Sequence, residues 1–250
     1  MDILKKQEIQ ALPLFYKQLV ALNSNVHAAS RARTTDKASW LIKQHAVPLM
    51  TDEFVKAQRS YPIIFSASEK PFPLALMGLN EGVNAFLDAE GGFEPSLYIP
   101  AYVRRYPFLL ARLDPKGDDL SLCFDPTSNL VGTFDEGDAL FSGEEPSDRC
   151  KSILNFCEQF EIASRQTAAF VEMLEKHDLL SDGEFTVKRD GDGQSSVYRG
   201  FKMVTEAKLK AVSPQILAEL NESGALGLIH LHQASLGLIT EIYTRQTKAA

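Results

Sequence analysis

The sequence predicts an α+β fold, and three observations carry the prediction. Short apolar runs rich in branched and aromatic residues crowd the first half of the chain. A single long seam of apolar positions follows Ser147, and segments with helix caps at their starts close the sequence.

Taken in order, LPLFYKQLVALNS (12–24) alternates loosely and predicts an edge strand leading into a polar connection around His27 to Asp36. TDEFVKAQR (51–59) predicts a short helix with Thr51 as N-cap and acids in the first turn, where the helix dipole favours them. SYPIIFS (60–66), FPLALMGL (72–79), VNAFLD (83–88), PFLLARL (107–113) and LSLCFD (120–125) predict strands of an antiparallel meander, because Pro, Gly, Asn and Asp clusters separate them. Turns at Asn80–Gly82 and Asp114–Gly117 suit hairpins, since glycine accepts positive φ without steric cost. IPAYVRRY (99–106) predicts a short helix opened by Pro100 at its first position and stopped before Pro107.

Residues 126–147 are polar and acidic, with Leu140 and Phe141 as anchors, and predict a linker or lid. Beyond them Ser147 caps a long amphipathic helix whose seam is Cys150, Ile153, Cys157, Phe160, Thr167, Val171 and Leu174. EFTVKRDGDGQSSVYRGFKMV predicts a hairpin turning at Asp190 to Gly193. Thr205, then Ser213 followed by Pro214, cap two further helices, Gly224 stops the second, and an apolar terminal helix ends the fold. The expected organisation is one domain over 1–250, divisible into a strand-rich half (1–125), the linker or lid (126–147) and a mostly helical half (148–250).

The chain has 250 residues, 44% hydrophobic and 24% charged, enough to bury a full core. A net charge of -7 supplies no global positive field, which argues against nucleic-acid binding and against attraction to an anionic membrane. Residues 224–243 are the most apolar stretch, yet two histidines, a glutamine and a serine break it below the roughly 20 residues of a transmembrane span. The start MDILKKQEIQALPLF has no apolar core of a signal peptide, and three cysteines are too few and odd in number for a disulfide framework. Cys150 and Cys157 would stand about 10 Å apart along a helix, beyond disulfide reach. The expected location is the cytoplasm.

Candidate chemistry is sparse. Asp190 and Asp192 open like a calcium loop, but the glycine and glutamate such a loop requires are replaced by Ser195 and Phe201, so a hairpin turn explains them. His230 and His232 would share a face only on a strand, whereas a helix turns them about 200° apart, which leaves them a weak metal alternative. No G-x-S-x-G elbow, Walker loop or G-x-G-x-x-G motif is present, and no cofactor is expected. Cys123 lies in an apolar strand without a neighbouring histidine, a poor setting for a thiolate. The distinctive element is Tyr102-Val-Arg104-Arg105-Tyr106-Pro107, two guanidiniums flanked by aromatic rings in an acidic protein. Arginine binds carboxylate or phosphate bidentately and stacks on tyrosine, so Arg104, Arg105, Tyr102, Tyr106 and Tyr61 are the expected ligand-binding residues. The competing use is structural, an ion pair from Arg104 or Arg105 to Glu53, Asp88 or Asp125.

The phrases "VPLM…EF…YPIIF", "LMGL…G.NAFLD", "YIPAYVRRYPF" and, near the C-terminus, "LHQASL" resemble the bacterial SapC family over residues 14–245. Pro48, Tyr61, Pro62, Tyr98, Pro100, Arg104, Arg105, Tyr106, Pro107 and the HLHQASL stretch match family positions. The resemblance implies a surface-layer association by name and genes set among those for nutrient uptake. It does not imply the transporter permease of the same name, which needs several membrane spans.

From residues and resemblance together, the expected function is a cytoplasmic, non-enzymatic binding or accessory protein for an anionic small molecule or an acidic protein segment. The alternatives are a small-molecule or peptide-modifying enzyme, with metal through His230 or His232, and a self-associating surface-layer protein with its terminal helix in a homo-oligomer.

Overall fold

The computed structural model describes residues 12–113, 119–188 and 195–249. In chain order its strands are β1 (Val20–Ala21), β2 (Arg31–Ala32), β3 (Ala46–Pro48), β4 (Ile63–Ser66), β5 (Pro73–Leu76), β6 (Phe108–Arg112), β7 (Leu120–Phe124), β8 (Val131–Gly132), β9 (Asp138–Ala139), β10 (Phe141–Ser142), β11 (Glu145–Pro146), β12 (Leu180–Asp182), β13 (Phe185–Lys188), β14 (Ser195–Tyr198) and β15 (Phe201–Val204). The helices are α1 (Ser24–His27), α2 (Phe54–Ala57), α3 (Ala101–Arg105), α4 (Asp148–Lys176), α5 (Glu206–Ala211), α6 (Pro214–Glu222), α7 (Ala225–Ser235) and α8 (Ile239–Ala249). The fold is α+β, and its strand pairs are antiparallel, as the sequence predicts.

The chain forms two compact units. The first takes residues up to Thr34 together with Tyr106–Cys157, and the second takes Thr35–Arg105 and the residues from Glu158 onward. The predicted strand runs are therefore dealt into separate sheets, with the β6–β7 pair in one unit and the β4–β5 pair in the other.

In the first unit β1, β7 and β6 form a three-stranded sheet in that order, and β1 is the edge strand the sequence predicts. A second sheet runs β8-β2-β9, with Arg31 opposite both Gly132 and Ala139. Phe108, Phe124, Val131, Leu140, Cys150 and Ile153 pack into one buried cluster, so residues 126–147 contribute core side chains as well as polar surface. Asp125 is fully buried and accepts from Lys17 N–H at 2.7 Å and from the Thr127 backbone and hydroxyl at 2.8 and 2.7 Å. Burial alone would raise its pKa, but these donors hold the carboxyl below the ordinary range.

In the second unit a five-stranded sheet runs β12-β15-β4-β5-β3. Phe54 and Phe65 meet Phe170 of α4 at 6.1 and 6.3 Å between ring centroids, and Leu174, Leu179, Val204 and Ile229 are also buried. The predicted α4 seam is buried throughout, from Cys150 to Leu174. Ser147 Oγ accepts the Cys150 N–H at 3.1 Å, and Thr205 and Ser213 cap α5 and α6 in the same way.

Several elements differ from expectation. The polar connection at 27–36 contains β2, the middle strand of its sheet. The helix after Met50 starts as a 3₁₀ turn at Thr51–Glu53 capped at Met50, not at Thr51, whose backbone N–H donates to Thr167 Oγ1 at 3.0 Å. VNAFLD is a loop apart from an isolated antiparallel bridge from Leu87 to Phe93, because the Asn84 amide donates to Leu41 O and Gln44 O at 3.3 and 3.0 Å and its oxygen accepts the Phe86 N–H at 3.0 Å. The apolar terminal segment is two helices, α7 and α8, joined by a 3₁₀ turn at Leu236–Leu238. The turns expected at Asp114–Gly117 and Asp190–Gly193 lie outside the described residues. The strands flanking them pair antiparallel.

Candidate functional site

The site begins at Glu53, a carboxylate only 4% exposed. Its Oε2 accepts the Met50 N–H at 2.9 Å, while Oε1 accepts the Ala101 N–H at 2.6 Å and the Tyr98 hydroxyl at 2.8 Å. Burial pushes its pKa above the usual carboxylate range, against the pull of those three donors. One buried acid thus ties the turn before α2 to the first residue of α3 and fixes the phenol of Tyr98.

Tyr98 is held along its whole length. Its backbone N–H donates to Ser60 Oγ at 3.2 Å, and its carbonyl accepts the Tyr61 hydroxyl at 2.8 Å. With its own proton given to Glu53, the Tyr98 hydroxyl accepts from Arg104 Nη2 at 3.2 Å, and Arg104 Nε donates to Ile99 O at 3.0 Å. Desolvation and the nearby Glu53 charge push Tyr98 up to about 12, so it stays neutral. Arg104 Cζ stands 5.8 Å from the Tyr98 ring centroid and Lys56 Nζ stands 6.0 Å from it, both at cation–π range. Lys56, Arg59 and Arg104 are all exposed, and among the described residues neither Lys56 nor Arg59 forms a salt bridge.

The two adjacent arginines diverge, since neighbours on a helix point about 100° apart. Arg104 faces outward. Arg105 is 7% exposed, its Nη1 is 3.6 Å from Glu161 Oε1, and its guanidinium lies 4.0 Å over Phe160 and 4.9 Å over Tyr102. Glu161 is thus an intramolecular ion-pair partner of Arg105 that the sequence does not suggest.

The remaining predicted ligand residues are placed as follows. Tyr102 is buried beneath Arg105. Tyr61 is fully buried, edge-on to Phe86 at 4.9 Å, and burial raises its pKa. Tyr106 belongs to the first unit, where it packs edge-on against Phe15 and Tyr16 at 6.1 and 5.2 Å, and desolvation pushes it up to about 12. The structure thus brings Arg104 together with Tyr98 and Lys56, which the sequence reading did not select as ligand residues. Tyr98 was visible only as a family position, and a lysine one turn after an acid on a four-residue helix carries no signal of its own.

The two histidines also part. His230 is exposed, whereas His232 is sealed in the second unit. His232 Nε2 accepts the Val204 N–H at 3.0 Å, which leaves the proton on Nδ1, 2.7 Å from Ile63 O. Ser235 Oγ accepts the Ile63 N–H at 2.8 Å and Gln233 Nε2 donates to Val204 O at 3.2 Å. The β4–β15 ladder pairs Phe201 with Ser66 and Lys202 with Phe65, and α7 supplies the bonds that Ile63 and Val204 would otherwise lack. Both ring nitrogens are engaged, which leaves no lone pair for a metal, and no cluster of three metal-ligating side chains occurs among the described residues. The three cysteines are free and buried. Burial raises the pKa of Cys123 and of Cys150, which makes them poor nucleophiles. Among the described residues no helix is long and apolar enough to cross a membrane.

A family model, described as SapC, matches residues 22–242, nearly the whole chain. No curated protein and no solved structure matches.

Proposed function

The chain belongs to the SapC family, and from that premise we propose that it is a non-enzymatic binding or accessory protein that receives an anionic group on the Lys56–Tyr98–Arg104 surface. The observation that carries this reading is the setting of Arg104. Its guanidinium is exposed, with Nε on the Ile99 carbonyl and Nη2 on the Tyr98 phenol, so its position on this surface is fixed. Lys56 adds a second positive charge on the same aromatic ring. In a protein of net charge -7 such a spot acts by local contact rather than by a long-range field, and guanidinium with ammonium suits a carboxylate or phosphate. The anion belongs to a small molecule or to an acidic segment of a partner protein.

The buried free thiols support a reducing, cytoplasmic setting, where the family resemblance implies an accessory part in nutrient uptake. The test is an NMR titration of the arginine Nε–H signals with inorganic phosphate and with a tetraglutamate peptide. At least one probe is expected to shift the Arg104 signal, and R104A and K56A should each weaken that probe's binding about tenfold with little change in melting temperature. Binding by R104A equal to that of the parent protein overturns the reading.

A further inference from the structure

Elsewhere in the second unit, α5, α7 and the end of β15 enclose a groove of about 600 Å³. That volume lies within the roughly 300–1,000 Å³ typical of small-molecule sites. Its floor is apolar: Val204 and Leu209 are buried, and Met203 and Leu236 are half-buried. The rim is charged and carries both signs. Glu206 and Lys210 stand one turn apart on α5, with Lys210 Nζ 2.6 Å from Glu206 Oε1, and exposed His230 faces the groove from α7. The Gln233 wall is fixed by its bond to Val204 O.

We propose that this groove binds a zwitterionic amino acid with an apolar side chain, its carboxylate on Lys210 and His230, its ammonium on Glu206, and its side chain on Leu209 and Met203. The argument is charge complementarity. A simple anion would have to compete with Glu206 for Lys210, and a simple cation would meet the reverse obstacle, because each leaves one rim charge facing its own sign. A zwitterion gives each rim charge an opposite partner and leaves the ion pair in place, while the floor removes the apolar side chain from water. This site is independent of the Tyr98 surface: its ligand has no net charge, and its lining does not include Lys56, Tyr98 or Arg104.

The experiment is an NMR and calorimetric titration of the full chain with L-leucine and two analogues, 4-methylpentanoate and 3-methylbutylamine, which keep the side chain and only one charge each. Leucine is expected to perturb the signals of Leu209, His230 and Gln233 and to bind at least about tenfold more tightly than either analogue. E206Q and K210Q should each lose about tenfold, the swap E206K/K210E should recover part of that loss, and R104A should bind leucine as the parent protein does. The rim side chains are exposed, so circular dichroism should show every variant folded. No perturbation by leucine, equal binding of 4-methylpentanoate, or unchanged binding by E206Q overturns the proposal.

Discussion

Two regions of the second unit carry its most motif-like sequence, and they use polar side chains in opposite ways. At the start of α3 a buried acid, Glu53, organises a tyrosine that in turn aims an arginine at solvent. On α7 a histidine, a glutamine and a serine direct their polar atoms at two strand residues, Ile63 and Val204. The first arrangement ends in an exposed charge and the second closes on itself. The two arrangements differ in the burial of a single side chain, the exposed guanidinium of Arg104 against the sealed imidazole of His232.

The sharpest way to break this comparison is H232A. Removing the imidazole leaves the Val204 N–H and the Ile63 carbonyl buried and unsatisfied and opens a cavity beside Phe65, so a loss of about 3 kcal/mol is expected in urea unfolding. A loss below 1 kcal/mol, which is roughly the worth of a surface contact, would mean that the closed arrangement is not what holds α7 to the sheet.

Acid sharpens the same point. Burial lowers His232 from an ordinary 6.5 to about 4, so the neutral ring contributes stability that is fully present above pH 6.5 and is lost as the pH falls through 4. The expected decline is roughly 3 kcal/mol across that window, and it should vanish in H232A. An identical pH profile in both proteins would assign the acid sensitivity to other groups.

The smallest effects separate the two arginines. R105A strips a buried guanidinium from Glu161 and Phe160 and should cost about 2 kcal/mol, discounted because Glu161 is partly exposed. R104A should cost no more than about 0.5 kcal/mol. Equal costs would erase the difference between inward and outward neighbours.

Much of the fold was legible because the signals were long or local. The α4 seam repeats over seven turns, and the caps Thr205 and Ser213 act within three residues of themselves. β2 and β3 were not legible, since two or three residues show no periodicity, and VNAFLD read as a strand because its apolar content hides the Asn84 side chain that holds it as a loop. The candidate site was half legible. The arginine-tyrosine element stood out, but a five-residue helix cannot reveal which arginine faces in, and Lys56 lies more than forty residues from the tyrosine it flanks. Glu161 was invisible as a partner for the same reason of sequence distance.

The rungs that α7 supplies to β4 and β15 also set an order of events. Ile63 leaves the ribosome long before Ser235, so the central strand of the larger sheet waits with open backbone groups at Ile63 until α7 has emerged to close them.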